Sequence, residues 1–169
     1  RPGRARLPIN HRYVGTPMDY SRSQTNILVL LRLFVGWHFL YEGVVKLFQP
    51  AWSAKTFLLT SDGILRPFFV WLAEGPLMST VDVLNMVLLI TVGAALLLGV
   101  LTRFAAIAGI VLLAMYYLAH PPFGGAVSGP GNFWIVNYNL IEIAALLVCY
   151  YFPTNRHFGL DALRARQRA

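Results

Sequence analysis

At 169 residues, with 57% hydrophobic and 12% charged side chains, the chain departs from the roughly 45 to 50% apolar and 25% charged composition of soluble domains. The net charge of +7 does not indicate a nucleic-acid partner, because the arginines cluster at the chain ends and not along one exposed face. The single cysteine, Cys149, excludes an internal disulfide or a two-cysteine redox relay.

Residues 1–24, with Arg1, Arg4, Arg6, Arg12 and Arg22, read as a basic cytoplasmic arm. A first span is expected over about 26–48, closed by Pro50. The connection 50–79 holds Trp52, Phe57, Phe68, Phe69 and Trp71 in short apolar pieces broken by Gly63, Pro67 and Pro76. No piece is long enough to cross about 30 Å of hydrocarbon. One or two short interfacial helices are therefore expected there, as a lid.

A second span is expected over 80–101, a third over 104–119 and a fourth over 133–152, with His120, Pro121 and Pro122 ending the third and Pro153 the fourth. Residues 25–152 then make an all-α four-helix membrane bundle, followed by a basic tail, 153–169. Ten of the Lys and Arg residues lie in the termini and the 102–103 link, against Lys55 and Arg66 in the other connections. The positive-inside rule accordingly places the chain in the inner (cytoplasmic) membrane with both termini cytoplasmic and membrane lipid around it.

Ionisable groups inside a span should turn inward and find partners. At about 100° per residue, His38, Glu42, Lys46, Arg32, Gly36 and Gly43 share one arc of about 160° on the first span. Glu42 and Lys46 are an i, i+4 pair, and His38 lies one turn before Glu42, so the three are expected to form a ladder. Arg32 is expected to pair at greater depth with Glu142 of the fourth span. Gly36 and Gly43 should let another helix approach closely. With Asn137 and Asn139 on the fourth span, Asp82 and Asn85 opening the second and His120 closing the third, these groups define a polar pocket in the outer half of the bundle, beneath the aromatic connection.

Fastening of helices is the alternative use of the same polar groups. No metal site is expected: His38 and Glu42 have a spacing that can hold one ion, but no further strong ligand set is evident. His11 and His157 lie in polar termini and carry no signal. The aromatic clusters, Tyr116 among them, mostly mark span ends.

The stretch Tyr41-Glu42-Gly43-Val44-Val45-Lys46-Leu47 is similar to a Gly-x-x-Lys signature. It is followed by Pro50-Ala51-Trp52, Leu98-Gly99-Val100-Leu101-Thr102-Arg103, Asn139-Leu140-Ile141-Glu142 and Phe158-Gly159-Leu160-Asp161. In that order, over about residues 27–163, the chain resembles the DoxX family, and within it the DoxD-like membrane subunit of thiosulfate:quinone oxidoreductase. The resemblance implies a subunit of a quinone-linked oxidoreductase or electron-transfer complex, without an intrinsic cofactor, that works with quinone and with other subunits of a membrane complex. In that reading Glu42, Lys46 and Glu142 are the candidate catalytic residues, and Arg32, His38, Asn137 and Asn139 contact substrate or quinone. The alternative is a noncatalytic accessory subunit packed against a larger membrane complex. A solute carrier has less support, since no internal repeat is visible.

Overall fold

The computed structural model describes residues 20–122, 132–152, 154 and 158–161. The arm over 1–19 and most of the tail, with His11 and His157, lie outside the described residues. Helix α1 spans Arg22–Phe48, α2 Lys55–Leu59, α3 Arg66–Glu74, α4 Met78–Leu98, α5 Thr102–Ala119 and α6 Tyr138–Tyr151. Strands β1 (Asn132–Phe133) and β2 (Val136–Asn137) pair antiparallel just before α6. The protein is an all-α membrane bundle in which α1, α4 and α5 are each long and apolar enough to cross a bilayer, with α6 a shorter apolar helix.

Local sequence sets where each helix starts and stops. Ser21 and Gln24 form a capping box, with Gln24 N donating to Ser21 Oγ and Ser21 N to Gln24 Oε1 at 3.2 and 2.9 Å. That cap starts α1 at Arg22, earlier than the apolar run alone suggests. Gly99, at φ +65°, ends α4 in the left-handed conformation natural to glycine. The fourth helix corrects the expected span over 133–152. Residues 132–137 form a short β-hairpin that turns at Trp134 and Ile135, and Asn137 caps α6 by accepting from Leu140 N at 3.2 Å. At 14 residues, α6 is about 21 Å long, against about 40 Å for the 27 residues of α1.

Helices α1, α4, α5 and α6 run alternately up and down, and Tyr20 at the start of α1 stacks edge-on against Phe152 at the finish of α6. One end of the bundle, called here the tail end, therefore gathers the start of α1, the α4–α5 link and the close of α6. The other, the loop end, carries α2, α3 and the β-hairpin. Val35, Phe39, Leu89, Val92, Leu96, Ala106, Leu113 and Leu146 form the core between the four helices. A smaller cluster of Leu58, Phe69, Ala73 and Ala119 fixes α2 and α3 to the end of α5. Outward, Phe34, Trp37, Tyr41 and Phe48 of α1 stay exposed, as suits a face solvated by acyl chains.

The tightest helix contact is α1 against α4. A Cβ on Gly43 would lie 2.9 Å from Ile90 N, and one on Gly36 3.0 Å from Leu97 N. Only glycine admits backbones that close, so the small-residue face of α1 meets α4 as its spacing implied. Gly43→Leu is expected to lower the thermal midpoint in detergent by the equivalent of about 1 to 3 kcal/mol, the usual cost of overpacking. Phe34→Leu on the lipid face should leave it nearly unchanged, and a melting curve of both variants checks the contrast.

Candidate functional site

Helical periodicity turns His38, Glu42 and Lys46 of α1 toward the inside at the loop end, where α4 brings Asn85, α5 brings Tyr116 and His120, and α6 brings Asn139 and Glu142. These groups surround one cavity of about 730 Å³, within the size range of ligand sites. Phe39, Leu89 and Leu113 add apolar surface among these polar groups, and the roof is Trp52, Ser53, Ala54 and Phe57. Of the connection expected as a lid, only this first part covers the cavity, while α3 packs to one side on the smaller core.

The charged groups pair differently from the expected ladder. Glu42 and Lys46 do meet, Lys46 Nζ donating to Glu42 Oε2 at 2.5 Å and to Glu42 O at 3.2 Å. His38 instead crosses to α6, where its Nδ1 hydrogen-bonds Glu142 Oε1. This link joins two helices in a place where a carboxylate facing hydrocarbon alone would be costly. Lys46 also lies over the Trp52 ring, 5.6 Å from its centroid, so the ammonium has an aromatic face as well as a carboxylate.

Arg32 does not pair with Glu142 and does not line the cavity. It lies about 120° around α1 from His38, so the two cannot both face one residue of α6. It is 3% exposed, and its Nη1 donates to Thr154 Oγ1 and Phe158 O, both at 2.9 Å. Beside it Leu101 N donates to Asp161 Oδ2 at 3.1 Å, and the backbones of Gly99 and Gly159 touch so closely that a Cβ on either would fall within 3 Å of the other. Arg32 is thus a fastener of the tail end. Carbonyls at the C-terminal end of α4 carry partial negative charge that offsets its cation.

Asn137 lines the cavity, but its side-chain oxygen is committed to the α6 cap. Asn139, 3% exposed, also lines it. The hydrogen bond from Asn85 Nδ2 to Tyr116 Oη at 2.5 Å was not anticipated. By sequence Tyr116 reads as an interfacial aromatic, and only the position of Asn85, an amide just inside an apolar span, signals a need for a partner. Polar latches hold the roof: Ala54 N donates to Asp82 Oδ1 at 2.8 Å, His120 Nε2 bonds Phe57 O at 2.9 Å, and Asp62 N and Gly63 N donate to Ala119 O. His120 is thereby a roof support, and among the described residues no cluster of three or more His, Cys, Asp or Glu could hold a metal ion.

Among the described residues the cavity is only partly enclosed. Beyond the His38–Glu142 link α1 continues for ten residues to Phe48, about 15 Å, while α6 reaches only four residues back to Tyr138, about 6 Å. The hairpin before α6 leans on α5, through Tyr117 Oη to Ile135 O at 3.0 Å. The side chains of His38 and Glu42 remain 49% and 45% exposed there, against 16% and 17% for Glu142 and Lys46.

Among known proteins, the DoxX family's sequence model fits residues 27–121, from the second turn of α1 to just past α5. No curated protein and no solved structure matches the chain.

A double-mutant cycle of His38→Ala and Glu142→Ala, read from stability in detergent, should give a coupling of about 1 to 3 kcal/mol. The cycle of Arg32→Met with Glu142→Ala should be additive within about 0.5 kcal/mol. Coupling in the second cycle and none in the first would restore the pairing expected from sequence.

Proposed function

Since the chain belongs to the DoxX family, we propose that its loop-end cavity receives the head group of a lipid-soluble quinone, and that the chain is the membrane subunit of a quinone-linked oxidoreductase. The observation that carries this reading is the pair of charged couples, His38–Glu142 and Lys46–Glu42, facing a cavity of mixed apolar, aromatic and uncharged polar lining whose opening, among the described residues, leaves His38 and Glu42 half exposed. Apolar molecules dissolved in the bilayer reach such an opening without crossing water.

The residues suit the group. Phe39, Leu89 and Leu113 offer an apolar bed and Trp52, Phe57 and Tyr116 flat faces for a ring, while Lys46 supplies a cation for a carbonyl oxygen. When bound, a quinone supplies two-electron, two-proton redox chemistry. The chain's own contribution is to bind, to orient and to manage protons. His38 and Glu142 share a hydrogen bond and so can hold a proton between them, with half-exposed Glu42 as the next acceptor. Lys46 biases the cavity toward electron-rich oxygen. With a single cysteine the chain has no thiol couple of its own, so electrons would arrive from another subunit of the complex.

Quinone reduction by the complex extracted in mild detergent tests this. Glu142→Gln, His38→Ala and Lys46→Met are each expected to lower kcat/KM by about tenfold or more, the effect of one lost charge-assisted contact. Arg32→Lys, altered at the tail end, should retain activity wherever the complex stays folded. Unchanged turnover in all three cavity variants would remove the cavity from the reaction.

A further inference from the structure

Helix α3 lies beside the cavity and supplies none of its lining. Its two ends are tied to the ends of two spans. Just before it, Asp62 N and Gly63 N donate to Ala119 O at the close of α5, and a Cβ on Gly63 would overlap Leu118 O. After it, Gly75, Pro76 and Leu77 lead directly into α4 at Met78. A helix held at both ends on the rim of the bundle runs along that rim, at the depth where α4 and α5 leave the hydrocarbon. At nine residues, about 14 Å, it is also too short to cross. Around its axis α3 has three sectors. Phe69 and Ala73 are buried against Leu58 of α2 and Ala119 of α5. Arg66 and Glu74, both exposed, lie about 160° and 120° around the helix from Phe68. The third sector is apolar and uncovered: the rings of Phe68 and Trp71 are 6.2 Å apart and both exposed, Trp71 by 61%, and Ile64 just ahead of the helix is 87% exposed. Leu77 and then Val83, Leu84 and Val87 of α4 are exposed as well, so along the chain the uncovered apolar surface passes from α3 onto the lipid face of α4.

We propose that α3 is a docking surface for the phospholipid interface at the loop end, with Ile64, Phe68 and Trp71 seated at the top of the acyl chains and Arg66 and Glu74 turned to the headgroup water. An apolar flank with charges on the other side is what a helix lying in the membrane plane requires, and tryptophan is favoured at that depth. The spans on which α3 packs already stand in lipid, so a bilayer surface meets its outer flank at this level with no further partner. The attachment bears on the cavity beside it. Helix α2, whose Phe57 belongs to the roof, packs through Leu58 on Phe69 and Ala73 of α3. The roof is therefore seated on an element that the leaflet holds, and the membrane itself helps keep it in place. This holds for any occupant of the cavity and does not rest on the quinone reading.

The test places the full chain in nanodiscs of phosphatidylcholine brominated either near the glycerol end or near the methyl end of its acyl chains. Subtracting the emission of Trp71→Phe from that of the wild type isolates Trp71. Trp37→Phe isolates Trp37 in the same way, a mid-span reference on the exposed face of α1. Trp71 emission is expected to fall mainly with the shallow bromines, and Trp37 emission mainly with the deep ones. Loss of Trp71 emission to neither lipid, as when water or a protein partner covers the ring, overturns the proposal. Loss to the deep bromines as great as that of Trp37 overturns it too. For the roof, the double variant Phe68→Ser/Trp71→Ser, with helical content checked by circular dichroism, is expected to speed exchange of the α2 amides by about tenfold or more, as the loss of two anchoring rings implies. Where the double variant does not fold, Trp71→Ser alone carries this measurement. Unchanged exchange overturns the coupling of roof to leaflet and leaves the docking of α3 standing.

Discussion

A carboxylate or an ammonium held among acyl chains has no water to solvate it, and the cost of leaving it alone is several kcal/mol. This bundle contains such groups on α1 and α6, and their need for partners organises the loop end. Glu142 is held from across the bundle by His38, and Lys46 by Glu42 and the Trp52 ring. The four helices are consequently packed on an apolar core below and around a polar cavity above. The close α1–α4 contact at Gly36 and Gly43 makes this possible, because it brings the α1 backbone near enough for its polar side chains to face the interior.

The two ends of the bundle have separate tasks. At the tail end Arg32, Gly99, Gly159, Asp161 and Thr154 lock the α4–α5 turn to the segment after α6. At the loop end the roof over the cavity is short and is held by a few hydrogen bonds to the ends of α4 and α5.

Much of this was legible in the residues. Runs of apolar side chains between Pro and Gly breakers located the spans, and the Glu42–Lys46 pair followed from i, i+4 spacing because both ends of the bond lie on one helix. The Gly36 and Gly43 face was legible for the same reason. Contacts between helices were not. That Arg32 would reach to Thr154 and Phe158 O, leaving Glu142 to His38, depends on how α1 and α6 are rotated about their axes, and no periodicity within one helix fixes that. The short α6 was hidden because residues 133–137 are as apolar as a helix interior, whereas the side-chain cap of Asn137 and the β-pairing before it decide where the helix begins. Asn85 with Tyr116 was missed because an aromatic near a span end reads equally as an interfacial anchor.

The pairing of His38 with Glu142 is the contact on which the arrangement of the cavity turns, and it can be seen directly. Solid-state NMR of the protein in bilayers, with histidine ring ¹⁵N and glutamate carboxyl ¹³C labels, should show a nitrogen-to-carboxyl transfer peak that survives in Glu42→Gln and vanishes in Glu142→Gln. A peak lost in Glu42→Gln instead, or no such peak at all, would contradict the account.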